Sequence, residues 1–177
     1  MTIEDIKDVL CEVTEAFFTE ANVTWNRTSK AMPKVPLVCL DIGVQQRNYQ
    51  SISEIESGEE GKYIEVKHTQ ITFPWIVELF THGTKCVKDG HTFNRNTAIS
   101  EINEFVDYMA SDVVLDTLNS HGVAAIITGQ ITDTTAVHDN DYEFRARVEF
   151  DVSCLMAGKG REVEIIERAE VEEEVNE

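Results

Sequence analysis

Apolar residues recur along the chain at two spacings, and these predict its helices and strands. Over residues 2–21 the spacing is three or four, which predicts an amphipathic helix with acidic residues on its outer side. Thr2 precedes this stripe and Asp5 follows three residues later, so the pair suits a capping box. A second stripe predicts a helix from Thr97 to Ser120, with Gly122 as its stop signal.

Alternation of apolar and polar residues predicts strands between and after these helices. Residues 37–47 and 63–80 form an antiparallel pair, and the polar stretch 50–62 between them is predicted to be a loop. Pro74 lies inside the second strand. Because proline cannot donate to a ladder, we expect this point to lie at an edge or a bulge. Residues 81–90 are predicted to be a connector.

The longest alternation predicts a hairpin over residues 123–156, with a polar turn at His138–Asp141. Along its return strand one face is apolar, with Tyr142, Phe144, Ala146, Val148, Phe150 and Val152. The other face carries charges of both signs, at Glu143, Arg145, Arg147, Glu149 and Asp151. A period of two over a dozen residues predicts one buried face and one wet face.

The order of elements, α-β-β-α-β-β, predicts the α+β class: an antiparallel or mixed β-sheet packed against two α-helices. A final alternation around Val163 and Ile165 is compatible with one more strand. We expect one domain over residues 1–160, followed by an acidic C-terminal segment, 161–177, that forms a strand or an arm. That segment holds eight acidic residues and two arginines.

Composition narrows the classes of partner. The chain has 177 residues and a net charge of −18, which argues against binding nucleic-acid phosphates or anionic lipid. A hydrophobic fraction of 42% is enough for a packed core. We expect no secretory signal and no membrane span. The cysteines form no Cys-x-x-Cys pair and are interpreted as buried reduced thiols, as in a reducing cytoplasm.

Two clusters resemble metal sites only loosely. The first lies in the predicted connector and consists of His82, Cys86, Asp89 and His91. Its spacing matches no common zinc frame, and a polar loop is the simpler interpretation. The second consists of Asp139, Asp141 and Glu143, which lack the ligand ladder and central glycine of a calcium loop. We therefore predict no metal site.

No sequence motif for catalysis stands out. The chain has no Gly-x-Ser-x-Gly and no glycine-rich phosphate loop. Paired carboxylates carry no weight here, because any pair is easily found among 33 acidic residues. We predict that the protein is not an enzyme and has neither catalytic residues nor a cofactor.

Several segments resemble the tail terminator, or neck, proteins of long-tailed bacteriophages. The hairpin reads Ile-Thr-Asp-Thr-Thr, a short acidic break, and then Asp-Tyr-Glu-x-Arg-Ala-x-x-x-x-Asp. Residues 32–38 resemble the proline-containing start of the family's first strand, and residues 70–73 resemble the start of its second. A helix followed by His121-Gly122-Val123 resembles the lead-in to its hairpin. The likeness covers roughly residues 20–155, and the acidic C-terminal segment lies outside it.

This resemblance implies a structural virion protein that forms a ring of identical copies, commonly a hexamer. The ring would cap the head-proximal end of the tail tube, stop its polymerisation and offer a docking surface to the head connector or stopper protein. DNA would only pass through it, and no membrane is involved. Assembly would take place in the host cytoplasm, and the protein would end in the neck of the virion.

The mixed-charge strand face offers a candidate contact between subunits or partners, at Glu143, Arg145, Arg147, Glu149 and Asp151. Alternating charges set register and partner choice more than affinity. The alternative is a solvated face with weak cross-strand pairs. Two other functions stay open: a head-completion or tail-tube protein of related fold, and a small cytoplasmic ligand-binding domain or enzyme with its site near residues 82–91.

Overall fold

The computed structural model describes residues 2–26, 34–57, 63–138 and 141–163. Within them three helices pack on a large mixed sheet, so the α+β class is confirmed. The helices are α1 (Ile3–Phe17), α2 (Ala98–Met109) and α3 (Asp112–Ser120). The strands are β1 (Asn22–Trp25), β2 (Leu37–Ile42), β3 (Gln46–Ser57), β4 (Tyr63–Thr81), β5 (Thr84–Lys88), β6 (His91–Arg95), β7 (Val123–Ile127), β8 (Thr132–Asp133), β9 (Ala136–His138), β10 (Asp141–Ala157) and β11 (Arg161–Val163).

The first helix begins at the predicted cap. Thr2 accepts a hydrogen bond from the Asp5 backbone, and the Asp5 carboxylate accepts one from the Thr2 backbone. Ile6, Leu10 and Val13 on the apolar stripe are buried against the sheet. Because both the cap and the stripe are local features, sequence located this helix well, although α1 ends at Phe17 rather than near residue 21.

The predicted helix over residues 97–120 is wrong in one respect, because it is two helices. α2 ends at Met109, and α3 begins after Ser111, whose backbone is extended. The break turns α3 onto β7, so Val114 and Leu118 are buried. Val113, which continues the apolar spacing of the predicted single helix, is 73% exposed. The order α-β-β-α-β-β and the count of two helices are therefore corrected.

The sheet is built around two long strands. β4 and β10 are antiparallel neighbours from Phe144 opposite Thr81 to Ala157 opposite His68. The main path runs β1-β2-β4-β10-β7, and β1 is parallel to β2, so the sheet is mixed. The alternation in the sequence does not predict the short strand β1. Alternate residues of β4 and β10 form the core with the helices, including Phe73, Trp75 and Phe150.

The break between β2 and β3 explains the proline in the central strand. Gly43 donates its backbone N–H to the carbonyl of Pro74, and a Cβ on Gly43 would lie 2.8 Å from the proline Cγ. Within a strand, a residue's N and carbonyl O point to the same side, so the missing N–H of Pro74 faces this break. The expected irregularity is present, although it lies on the neighbouring strand.

Two further loop predictions are wrong. Residues 50–57 belong to β3, which pairs with β4 after a register shift between Arg47 and Ser51. Residues 84–88 and 91–95 form a separate two-stranded hairpin, β5–β6. Residues 58–62 lie outside the described part of the chain, and so do Asp139 and Asn140, which were predicted to form a turn.

The predicted hairpin over residues 123–156 is present, but its outgoing arm is divided. β7, β8 and β9 pair in turn with the continuous strand β10. The possible C-terminal strand also exists as β11, whose residue Arg161 lies opposite Glu65 of β4. The later residues, 164–177, lie outside the described part, and the division at residue 161 remains a prediction.

Candidate subunit-contact face

The candidate contact residues lie on the side of the sheet opposite the helices. β10 turns Ala146, Val148 and Phe150 into the helix-covered core, so the alternate positions face away from it. The sequence therefore grouped Glu143, Arg145, Arg147, Glu149 and Asp151 correctly on one strand face. All five are half-buried rather than fully exposed, and β4 lies alongside four of them, from Arg145 to Asp151.

Two ion pairs follow this face. The Arg145 guanidinium donates a short hydrogen bond to Glu143, two residues away on the same strand side. Arg147 Nη2 lies 3.4 Å from Glu149 Oε2, with the two side chains 43% and 38% exposed. The Arg147–Glu149 pair is long and solvent-exposed, so it contributes little to the stability of the fold. Arg147 and Glu149 are thus available to exchange their pairing for a partner's charges.

Arg145 is held much more firmly than Arg147. Its guanidinium lies 4.8 Å from the centre of the Phe80 ring on β4, directly opposite in the strand register. Phe80 forms a small buried cluster with Leu37 and Cys39 on this side of the sheet. The sequence gave no sign of this second cluster, because its residues come from strands distant along the chain.

Asp151 differs from the other acids of the face. It lies between Pro74 of β4 and Ile126 of β7 in the strand register and is half-buried. Among the described residues no cation lies within ion-pair distance of its carboxylate. An unpaired carboxylate at a strand centre is free to accept a partner's donor.

The fold does not gather the described residues of the two clusters that were considered and set aside as metal sites in the sequence. His82 precedes the β5–β6 hairpin, Asp89 lies in its turn, and Cys86 and His91 lie on different strands. Within the described residues, ligand atoms gather instead at Glu54, Glu56 and His68, within 4.8 Å of one another. Their carboxylates are exposed, and His68 Nε2 lies 3.4 Å from Glu54 Oε2 on the neighbouring strand. Of the calcium candidates, Asp139 lies outside the described residues and Glu143 pairs with Arg145.

The cysteines are all free thiols, as expected, but only two are buried. Burial raises the pKa of the Cys39 and Cys154 thiols. Burial and the neighbouring Glu15 raise the pKa of half-buried Cys11 to about 11. Cys154 also lines a depression of about 420 Å³ beside β7, together with Gln70, Asn119 and Ser153. A protonated thiol is a poor nucleophile, so this depression lacks an activated cysteine.

The β5–β6 hairpin is the surface feature that the sequence interpretation missed. Asp89 and Gly90 form its two-residue turn, both with positive φ, of 52° and 76°. An Asp-Gly pair is the strongest short-range signal for such a turn. It was overlooked because almost every hairpin residue is exposed, so no alternation of burial accompanies it.

The surface features of the described residues suggest that the protein assembles with other proteins. The described surface offers charged and apolar strand faces and a protruding hairpin, which are means of assembly. None of the helices in the described ranges is long and apolar enough to cross a membrane. An acidic α+β subunit of this kind fits a structural component of a larger particle.

Comparison with protein families supports this interpretation. The model of the family described as phage neck terminator protein matches residues 3–177, and the chain belongs to that family. Comparison with curated proteins finds no match. The resemblance read from the sequence is confirmed, and the match also includes the acidic C-terminal segment. The chain thus belongs to a family of structural neck proteins, which implies a virion component that associates with other virion components.

Proposed function

We propose that this protein forms a ring, most simply a homo-hexamer, that caps the head-proximal end of the phage tail tube. The ring stops tube polymerisation and gives the head connector or stopper protein its docking surface. The observation that carries this proposal is the family match over nearly the whole chain. Assembly takes place in the host cytoplasm before the protein enters the virion.

The charge distribution supports the passage of DNA through such a ring. The outer face of α1 carries Glu4, Asp8, Glu12 and Glu15. The helix α2 carries Glu101, Glu104 and Asp107 and no lysine or arginine. Surfaces of this sign repel the DNA backbone, so DNA in transit would not be held.

The mixed-charge face supports a contact with a subunit or a virion partner. Arg147 and Glu149 pair weakly and lie in partial contact with water, while Asp151 has no cation near it among the described residues. A partner surface with both positive and negative charges can replace the weak Arg147–Glu149 pair at a small cost in free energy. The new charge pairs would then fix the register of the contact. Arg145 and Glu143 act as a fixed part of that face.

Deletion of the gene in its phage tests the proposal. We expect DNA-filled heads that are not joined to tails, together with tubes of irregular and often excessive length, because nothing caps the growing end. Electron microscopy of the lysate measures both. Normal tails joined to heads would contradict the proposal. Normal-length tails lying free would instead indicate a head-completion protein, the alternative of related fold.

A further inference from the structure

The β5–β6 hairpin carries positive charge on a strongly acidic protein. Residues 84–95 contain three cations, Lys85, Lys88 and Arg95, and one acid, Asp89, while the whole chain has a net charge of −18. The hairpin forms a sheet of its own, apart from the main sheet. Each strand has five residues, so it extends for roughly 17 Å. It is therefore a separate, basic projection.

One face of the hairpin has an apolar centre between charged ends. The strand register places Cys86 opposite Phe93, Thr84 opposite Arg95 and Lys88 opposite His91, and these three pairs share a face. Phe93 is 46% exposed although it is a large apolar residue. An apolar centre with a polar rim is the usual arrangement of a protein contact surface.

The outer side of α3 has the complementary chemistry. Val114 and Leu118 point into the core, so Asp112, Val113 and Asp116 lie on the outward side. Val113 is exposed between these acids. Asp112 and Asp116 are four residues apart, where like charges repel. Among the described residues no ion pair engages Asp112, Asp116, Lys88 or Arg95.

The two surfaces lie at different places on the same protomer. The hairpin base lies beside β10, because Gly83 packs against Phe144 and the Arg95 carbonyl. The helix α2 begins at Ala98, next to this base, and leads away over twelve residues, or roughly 18 Å, before α3 begins. A contact between unlike surfaces of identical copies runs head to tail, and such contacts close into a ring when the rotation from one copy to the next is a whole fraction of a turn.

We infer that the β5–β6 hairpin of one copy docks on the outer side of α3 of the next copy, with Lys88 and Arg95 against Asp112 and Asp116 and Phe93 against Val113. This inference rests on the proposed ring and names its subunit contact. The occupant of both surfaces is a second copy of this chain. The contact joins opposite charges that are unpaired within the described protomer and covers two exposed apolar side chains.

Charge reversal in the deletion phage, supplied with the protein from a plasmid, tests the inference. The hairpin variant combines Lys88→Glu with Arg95→Glu. The helix variant combines Asp116→Lys with Asp112→Asn, which keeps a neutral polar residue in the first helical turn. We expect each variant to fold, by circular dichroism, and to lower the yield of joined virions by at least about tenfold, because like charges then meet.

The combined variant and the mixture of variants give the decisive results. A chain with all four substitutions again matches hairpin to helix, and we expect it to recover most of the yield. Co-expression of the hairpin variant with the helix variant should also recover it, because each variant then docks on the other in an alternating ring. Velocity sedimentation of the purified assemblies gives the matching change in size.

A matched control separates the contact from net charge. Lys67→Glu with Lys159→Glu makes the same charge change at two exposed positions outside the hairpin. A normal yield with the hairpin variant, an equal loss with the control, or no recovery in the combined variant would overturn the inference. None of these results tests whether the protein forms a ring at all. The proposed function fails separately, if the deletion phage already makes normal joined tails.

Discussion

Arg145 of β10 lies directly opposite Phe80 of β4 and covers its ring, with the guanidinium carbon 4.8 Å from the ring centre. Phe80 is itself buried against Leu37 and Cys39. Arg145 therefore shields an apolar cluster on the side of the sheet that faces away from the helices. Of the two arginines on the candidate contact face, this one belongs to the protomer's own packing.

We predict that Arg145→Glu lowers the free energy of unfolding by about 2 kcal/mol. The substitution places a carboxylate beside Glu143 and over the negative face of the Phe80 ring. Urea denaturation measures the change. Arg145→Lys is the matched control, since it keeps the charge and should cost less. Equal stability of the wild type and Arg145→Glu would mean that the stacking contributes nothing.

Arg147→Glu should behave in the opposite way. Its pair with Glu149 is long and partly solvated, but a carboxylate at position 147 would lie opposite Glu78 of β4, so we expect the stability to fall by no more than about 1 kcal/mol. If the face contacts a subunit or a virion partner, the deletion phage supplied with this variant should yield far fewer joined virions. Lys159→Glu makes the same charge change elsewhere. A normal yield would show that the face is only solvated.

The contact between Gly43 and Pro74 predicts a coupled pair of substitutions. A Cβ on Gly43 would lie 2.8 Å from Cγ of Pro74, in the middle of the central strand. We expect Gly43→Ala to cost about 1–3 kcal/mol through this overlap. Pro74→Ala removes the ring atoms nearest to it, so the double variant should be more stable than the sum of the single changes implies. Additive losses in urea denaturation would contradict this contact.

The thiols should differ in their reaction with alkylating reagents. With a pKa of about 11, Cys11 is thiolate in roughly one molecule in a thousand at pH 8. We expect slow labelling that speeds up as the pH rises, and faster labelling in Glu15→Gln, because one cause of the raised pKa is removed. Buried Cys39 and Cys154 should stay unlabelled until the protein unfolds. Mass spectrometry of the labelled peptides distinguishes these sites.

The sequence predicts α1 and the long strands because a helix cap and a regular apolar spacing are patterns among residues close together in the chain. The α1 stripe and cap lie within a few turns, and β10 has one buried face along most of its length. The β5–β6 hairpin and β3 are exposed on both faces, so burial leaves no periodic trace in their sequences. The break before α3 has no proline or glycine, and its local signal, the N-cap residue Ser111, lies within a continuous apolar spacing that favours one long helix.

The candidate face was predictable only in part, for the same reason. Alternation along β10 decides which residues share a side. It does not reveal that Arg145 lies opposite Phe80, because the packing of the sheet brings together two residues that are 65 positions apart in the chain. The sequence pattern therefore does not distinguish Arg145 from Arg147. In the fold, Arg145 packs over the Phe80 ring and has a structural role.

The capping box of α1 predicts how the stability of the protein depends on pH. Hydrogen bonds from the Thr2 backbone and side chain lower the pKa of the Asp5 carboxyl below its usual 3.8. A lowered folded-state pKa gives stability that is fully present above the unfolded value and is lost as the pH falls through the folded value. We therefore expect Asp5→Asn to be less stable than the wild type near pH 6, with the difference shrinking below about pH 4. Urea denaturation at a series of pH values measures this difference, with Asp8→Asn, on the exposed side of α1, as the control. A difference that stays constant down to pH 2 would show that the carboxylate does not cap the helix.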